Sequence, residues 1–168
     1  MRRIIGWLAV IIMAALLEST VLQRISIQDV LPDLTLLLVV YFALQGGEER
    51  AMFTGVLGGL MKDVAGNARL GHNVLALVIV GYVAGRLSKR LVTDHPAVKA
   101  GLVFVASLAY GVIYVCVQYV QEPSIGVTHQ ILTNRIPTAF YTALVTPLVF
   151  LLLDRMFRRD EGLERSVA

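Results

Sequence analysis

Two acidic residues, Glu18 and Asp63, lie within or at the end of long apolar runs of the sequence. A carboxylate inside a membrane helix is costly to bury, so each one is a candidate functional group and needs a partner. Glu18 either turns outward to water or meets Arg24 or Lys62. Asp63 ends an apolar run, where its charge opposes the helix dipole, so backbone N–H groups, an asparagine or a basic side chain must hold it. Both carboxylates can either tie the protein together or contact a partner or ligand.

The other side chains that do chemistry in proteins are not spaced for it here. The single cysteine, Cys116, stands inside an apolar run, so we expect a buried packing residue and no disulfide within the chain. His72, His95 and His129 are far apart without the spacing of metal ligands, and each is expected to be solvated. The sequence has neither a phosphate-binding glycine-rich loop nor a nucleophile with a neighbouring base. We therefore predict a protein that is not an enzyme and has no cofactor or metal.

Polar side chains recur at helical spacing in the second half of the chain. Tyr110, Tyr114 and Gln118 are four residues apart, so they share one face of a helix. That face turns either toward the interior of the protein or toward another membrane protein. It carries no charge at neutral pH, which argues against a transport pathway. Further along, Pro147 removes one helix hydrogen bond and predicts a bent helix.

The composition places these residues in a membrane protein. The chain of 168 residues is 57% hydrophobic and 16% charged, and its mean hydropathy is +0.72. Soluble domains are usually about 45–50% apolar and about 25% charged. The apolar residues form long blocks without period-2 alternation, which favours helices over a barrel. We predict an all-α integral membrane protein, a single domain over 1–168, with six transmembrane helices at about 4–22, 32–44, 50–64, 71–87, 98–120 and 137–157. Pro32 is expected in the first turn of the second of these.

The positive charges predict the orientation of these helices. With the N-terminus in the cytoplasm, eleven of the fifteen lysines and arginines fall in cytoplasmic segments. Such a bias is the usual sign of the cytoplasmic side. We therefore expect a multi-pass protein of the bacterial inner membrane, surrounded by membrane lipid, with both termini in the cytoplasm. The net charge of +3 reflects topology and does not indicate nucleic-acid binding.

Glycines mark the closest helix contact. Gly55 and Gly59 lie four apart in the third predicted helix, and Gly81 and Gly85 lie four apart in the fourth. Small residues at this spacing let two helix backbones approach each other in lipid. Between the two runs lies a short polar apex, 62–73. The sequence predicts a tightly packed helical hairpin here, and a leucine at Gly59 or Gly85 is expected to disrupt it.

The order of these features resembles the MreD family of bacterial rod shape-determining membrane proteins. The resemblance covers nearly the whole chain and is most specific from Pro32 to Gly85, where glycines and acids recur in a fixed order. The residues that carry it, and that are candidates for helix packing or for a partner interface, are Pro32, Asp33, Gly55, Gly58, Gly59, Asp63, Gly71, Asn73, Gly81, Gly85, Tyr110, Tyr114, Gln118 and Pro147.

The resemblance implies a six-helix bundle related to the substrate-binding S components of energy-coupling-factor (ECF) vitamin transporters. It also implies a function in cell elongation. Members of this family are expected to bind MreC and, through it, the penicillin-binding transpeptidase, the RodA glycan polymerase and the MreB filament. The implied role is a scaffold for side-wall peptidoglycan synthesis and rod shape, without catalysis.

Two other functions remain open at this point. An S component that captures a vitamin commonly presents an Ala-x-x-x-Ala face on its first helix, but the nearest match here is Ala15 and Ser19. A flippase or enzyme for lipid-linked precursors finds no supporting set of residues. Trp7, the single tryptophan, is expected to anchor the first helix at the cytoplasmic interface.

Overall fold

The computed structural model describes residues 2–20, 32–66, 71–89, 95–121 and 135–165. This part of the chain contains helices and no strand, so the predicted all-α class is confirmed. The five helices begin within two residues of the predicted starts at 4, 32, 71, 98 and 137. Residues 21–22 of the first predicted span lie outside the described residues. The helices are α1 (Arg2–Thr20), α2 (Leu34–Ala65), α3 (His72–Ser88), α4 (Pro96–Gln121) and α5 (Ile136–Arg165).

The second helix reverses its direction at Gly47. This residue has φ 75° and ψ −169° and is the one non-helical position inside α2. The arms on either side, 34–46 and 48–65, run antiparallel, because residues near the two ends of α2 touch. Lys62 Nζ lies 2.7 Å from Asp33 Oδ2, and a Cβ built on Gly58 would lie 2.5 Å from Thr35 Cγ2. The two segments predicted at 32–44 and 50–64 thus correspond to two antiparallel helical arms that meet at Gly47.

The first arm of α2 is the centre of the bundle. Every residue from 35 to 43 is buried. It contacts helices that precede it and helices that follow it in the sequence. The Phe42 ring lies 6.2 Å from the Trp7 ring of α1, and the Tyr41 ring lies 5.3 Å from the Phe150 ring of α5, measured between centroids. A helix that is apolar all round is one that protein or lipid surrounds. Here the surroundings are protein, which explains how so short an apolar segment is accommodated.

The second arm of α2 packs against α3 through glycines. A Cβ on Gly59 would lie 2.6 Å from Val74 Cα, and one on Gly85 would lie 2.5 Å from Glu48 Cα. Gly55 faces the backbone of Leu77 and Gly81 faces the backbone of Ala51, both at 2.9 Å from the added Cβ. Any side chain at these four positions would collide with backbone, so the two helices approach as closely as small residues allow.

Apolar length marks α4 and α5 as candidate membrane helices. Pro96–Val120 and Ile136–Arg155 are long and apolar enough to cross a membrane, and Gly6–Glu18 and His72–Ser88 are shorter apolar helices. One side of α5 carries large side chains that are about two-thirds exposed: Phe140, Leu144, Leu148 and Leu151. These findings fit a helical membrane protein. The six-span arrangement stays a prediction.

Several expectations about single residues differ from the structure. Cys116 is exposed on α4 and is not a core residue. Trp7 contacts α2, since its Nε1 donates to Thr54 Oγ1 at 3.1 Å, and its anchoring at the membrane interface stays a prediction. Pro32 precedes the helix and does not lie in its first turn, because Asp33 is the N-cap of α2 and its side chain accepts from the Leu36 N–H.

Candidate functional site

The most polar part of the described structure is a buried group of side chains near the C-terminal end of α1 and the two ends of α2. Its members come from all five helices and from the residue that caps α2. We call it the polar cluster, and it consists of Glu18, Asp33, Thr35, Lys62, Asp63, Asn73, Tyr110 and Thr142.

Lys62 links two carboxylates within the polar cluster. Its Nζ lies 2.8 Å from Glu18 Oε1 and 2.7 Å from Asp33 Oδ2. The three side chains are 18%, 16% and 7% exposed, respectively. Burying charges is costly unless they are paired and their remaining atoms are hydrogen-bonded. One cation therefore compensates two acids that the chain brings from different helices.

The remaining oxygens of both carboxylates are also occupied. Glu18 Oε2 accepts from the backbone N–H of Thr35 at 3.1 Å and from Thr35 Oγ1 at 2.7 Å. Asp33 Oδ1 accepts from the Leu36 N–H at 2.8 Å, which caps the N-terminus of α2. The Asp33 N–H in turn donates to Thr142 Oγ1 of α5 at 3.0 Å. The ion pairs are thus anchored in the backbone at the start of α2.

Asp63 organises the connection between α2 and α3. Its carboxylate accepts from the Gly71 N–H at 2.8 Å, the Asn73 N–H at 3.0 Å and Asn73 Nδ2 at 2.8 Å. The Tyr110 hydroxyl of α4 donates to Asn73 Oδ1. The side chain of Asp63 is almost fully buried. The backbone and asparagine contacts considered for this acid are therefore present, and they compensate for its unfavourable place at a helix C-terminus.

Aromatic rings of α4 cover the basic groups. The Lys62 ammonium lies 5.2 Å from the centre of the Tyr110 ring. The Arg135 guanidinium lies 4.4 Å from the Tyr114 ring and 5.8 Å from the Tyr110 ring. Such distances give cation–π attraction. Gly111 leaves room for this arginine, because a Cβ there would lie 3.1 Å from Arg135 Cβ.

The arrangement joins the helices to one another. The carboxylate oxygens of the polar cluster accept hydrogen bonds or ion pairs from within the protein. Among the residues that the structure describes, no group of three His, Cys, Asp and Glu is placed to hold a metal ion. A fully satisfied buried network of this kind specifies one packing of its elements. The polar cluster is therefore suited to fix the register of the helices relative to one another.

The structure separates the candidate residues into three places. The α2–α3 contact holds Gly55, Gly59, Gly81 and Gly85, while Gly58 faces the first arm. Pro32 adjoins the N-cap, Pro147 lies inside α5, and Gln118 is half-buried on α4. The polar cluster or its edge holds Asp33, Asp63, Gly71, Asn73, Tyr110 and Tyr114.

Sequence reasoning missed several members of this site. Thr35 and Thr142 join the polar cluster only through the fold, and Arg135 lies at its edge over the Tyr110 and Tyr114 rings. The one local signal was Asp33 just before an apolar helix, which is a capping pattern. Thr142 also donates to the Thr138 carbonyl at 2.7 Å. Threonine side chains in membrane helices commonly bond the carbonyl four residues earlier in this way. His72 was expected to be solvated, but it is 8% exposed and faces the Tyr114 ring at 5.9 Å.

Comparisons with known proteins agree with the resemblance noted in the sequence. A family model described as rod shape-determining protein MreD matches residues 1–159. The sensor protein LytS of Streptococcus mutans is 29% identical over 94 residues, which are 56% of this chain and 16% of that protein. The chain thus spans a small part of the length of this curated relative. No solved structure matches this chain. Because the family match covers nearly every residue, the chain belongs to the MreD family of rod shape-determining membrane proteins.

Proposed function

We propose that this protein is a non-catalytic scaffold of the cell-elongation complex that binds MreC and supports side-wall peptidoglycan synthesis. The observation that carries the proposal is the family match over residues 1–159. Members of this family function in rod shape determination and are membrane proteins. The transpeptidase, RodA and MreB are proposed to be reached through MreC.

The distribution of polar atoms supports a scaffold. The acids of the polar cluster bond to groups inside the bundle, whereas the outward sides of the helices are apolar. On α3 the exposed residues include Leu75, Ile79 and Val83, and on α5 they include Leu144 and Leu148. In lipid, helices associate mainly by close packing, with about 0.6 kcal/mol from an average interhelical hydrogen bond. We propose that the membrane helix of MreC docks on such an apolar face and that the polar cluster keeps that face rigid.

We further propose six crossings with both termini in the cytoplasm. The reversal at Gly47 divides α2 into antiparallel arms, so the described helices supply six helical segments. The first arm, 34–46, is about 20 Å long at ~1.5 Å per residue, shorter than a hydrocarbon core of ~30 Å. Its burial at the centre of the bundle allows this, since neighbouring helices replace lipid around it. The likeness to ECF S components is part of the same proposal.

Affinity purification from native membranes in mild detergent, followed by mass spectrometry, tests the function. We expect recovery of MreC together with the transpeptidase and RodA. Recovery of a transporter core with its ATPase subunits would instead establish a vitamin-binding S component.

Two glycine variants connect this test to the structure. Gly59→Leu and Gly85→Leu force a side chain into backbone that would lie within 2.6 Å of the added Cβ, so we expect loss of MreC from the purified complex and loss of rod shape. Gly101→Leu is the matched control, because nothing lies within 4 Å of a Cβ at that position. Normal complex yield and normal rods in both test variants would contradict the proposed link between hairpin packing and docking.

A further inference from the structure

A cleft opens between the beginning of α4 and the last apolar turns of α5, at the end of the bundle opposite the polar cluster. Its volume is about 920 Å³, at the upper end of the ~300–1,000 Å³ typical of small-molecule sites. The cleft combines two chemistries. Pro147, Phe150 and Leu151 supply apolar walls, and Lys99 and Arg155 supply positive charge.

The cleft carries a net positive charge, because its lining has two cations and one acid. The lining contains one carboxylate, Asp154, whose Oδ1 accepts from the Tyr41 hydroxyl at 2.9 Å and from Gln45 Nε2 at 3.4 Å. Both donors lie on the first arm of α2, so this acid ties α5 to the bundle centre. Neither Lys99 nor Arg155 forms an ion pair with a carboxylate of the described residues. Two cations are therefore available to an anion that enters the cleft.

The apolar and basic groups are layered along the helices. On α5, Pro147, Leu151 and Arg155 follow one another at intervals of four residues, so they share one face with the cation nearest the helix end. Leu151 is 67% exposed, so the cleft is open at its side. An amphipathic molecule that lies parallel to the helices would place a charged group at Arg155 and a hydrocarbon chain along Leu151.

In the proposed orientation this end of the bundle is cytoplasmic, so the cleft lies at the headgroup level of the inner leaflet. Basic pockets between membrane helices at this level are typical sites for anionic lipid headgroups. We propose that the cleft binds one anionic phospholipid of the inner leaflet, with its phosphate at Lys99 and Arg155 and an acyl chain against Pro147 and Leu151. The leaflet that supplies this lipid rests on the proposed topology.

Native mass spectrometry of the full-length protein tests this site, with phosphatidylglycerol and phosphatidylcholine added in equal amounts to the detergent. We expect one phosphatidylglycerol to be retained in preference to phosphatidylcholine. Removal of both cations in Lys99→Gln/Arg155→Gln should weaken retention by about fivefold for each charge and roughly thirtyfold for the pair. The matched control is Arg86→Gln/Lys89→Gln, which removes the same charge at the same end of the bundle. Equal loss in both double variants, or in neither, would overturn the site.

A second pair of variants leaves the charges unchanged. Leu151→Trp fills the cleft and should lower retention of phosphatidylglycerol, whereas Leu152→Trp, at an exposed position outside the lining, should not. Displacement of the lipid by millimolar inorganic phosphate would show a site for a free anion and would overturn the lipid assignment. Equal retention of phosphatidylcholine would do the same. Since the assay contains no MreC, its failure is distinguishable from a failure of the proposed scaffold function.

Discussion

Lys62 is the residue on which the buried charges of this protein depend. It lies between Glu18 and Asp33, at 2.8 Å and 2.7 Å, and no other cation of the described residues forms an ion pair with either acid. A buried ion pair adds little net stability compared with apolar packing, but removal of one partner leaves an uncompensated charge. The two acids cap or contact the start of α2, so their state affects the central helix of the bundle directly.

We therefore predict that Lys62→Met destabilises the protein by about 3–5 kcal/mol, the usual cost of breaking a buried pair from one side. The measurement is the free energy of unfolding by SDS titration in mixed micelles. Lys89→Met is the control: it removes the contact with Glu48 at 3.0 Å, but Lys89 is 60% exposed, and such surface pairs contribute about 0–1 kcal/mol.

A combined variant separates charge from packing. Adding Glu18→Gln and Asp33→Asn to Lys62→Met removes the unpaired charges and should restore most of the lost stability, since both amides keep a hydrogen-bond acceptor at the original position. If Lys62→Met is no more damaging than Lys89→Met, or if the triple variant recovers nothing, the cluster does not depend on charge compensation.

The sequence predicted some contacts of this site and not others. Contacts between residues close in the sequence were predictable, and contacts between distant residues were not. Asp63 and Asn73 are ten residues apart around one apex, so their contact was open to local reasoning. Lys62 was considered as a partner of Glu18, but its pairing with Asp33 spans 29 residues and the bond from Asp33 to Thr142 spans 109. Such contacts exist only once α1, α2 and α5 have packed together, and one sequence carries no direct signal for them.

At the scale of elements, the reversal inside α2 is the feature that shapes the bundle. The combination of φ 75° and ψ −169° at Gly47 lies in a region that is essentially accessible to glycine alone. It allows two helical arms to fold back on each other across a single residue. The first arm can then lie at the centre with the second arm, α1 and α5 around it.

We predict that Gly47→Ala lowers the free energy of unfolding by about 1–3 kcal/mol, the usual cost of a strained backbone conformation. The loss would be purely conformational, because the nearest atom to an added Cβ is Lys89 Cε at 3.9 Å. Gly101→Ala is the control. That position is helical and open, so alanine should be neutral or stabilising by up to about 1 kcal/mol. Equal stability of Gly47→Ala and the native protein would show that the reversal does not need this conformation.

Helix positions were predictable and the central place of the first arm was not. Long apolar blocks separated by polar links mark where helices form, and the glycine spacing marked the α2–α3 contact. By contrast, a uniformly apolar helix is compatible with either a lipid environment or a protein interior. Residues 35–43 are equally compatible with either, so only the packed structure shows that this arm is surrounded by other helices.

At the scale of the whole molecule, the polar cluster and the basic cleft lie at opposite ends of the same bundle. Glu18, Lys62 and Asp63 are at one end, and Lys99 and Arg155 are at the other. The positive-inside rule assigns the second end to the cytoplasm. This assignment determines which leaflet supplies the proposed lipid and which side of the membrane the polar cluster faces, so it is the global property most worth measuring.

Cysteine labelling in intact spheroplasts measures the orientation of the bundle in the membrane. In a Cys116→Ser background, Ala65→Cys and Glu49→Cys place single thiols at exposed positions near the two ends of the second arm. We predict that a membrane-impermeant maleimide labels Ala65→Cys at once and Glu49→Cys only after lysis, because in the proposed topology the arm crosses the membrane with its reversal in the cytoplasm. Labelling of both thiols before lysis would mean that the arm does not cross. The inverse order would place the basic cleft outside the cell, where the inner leaflet cannot supply its lipid.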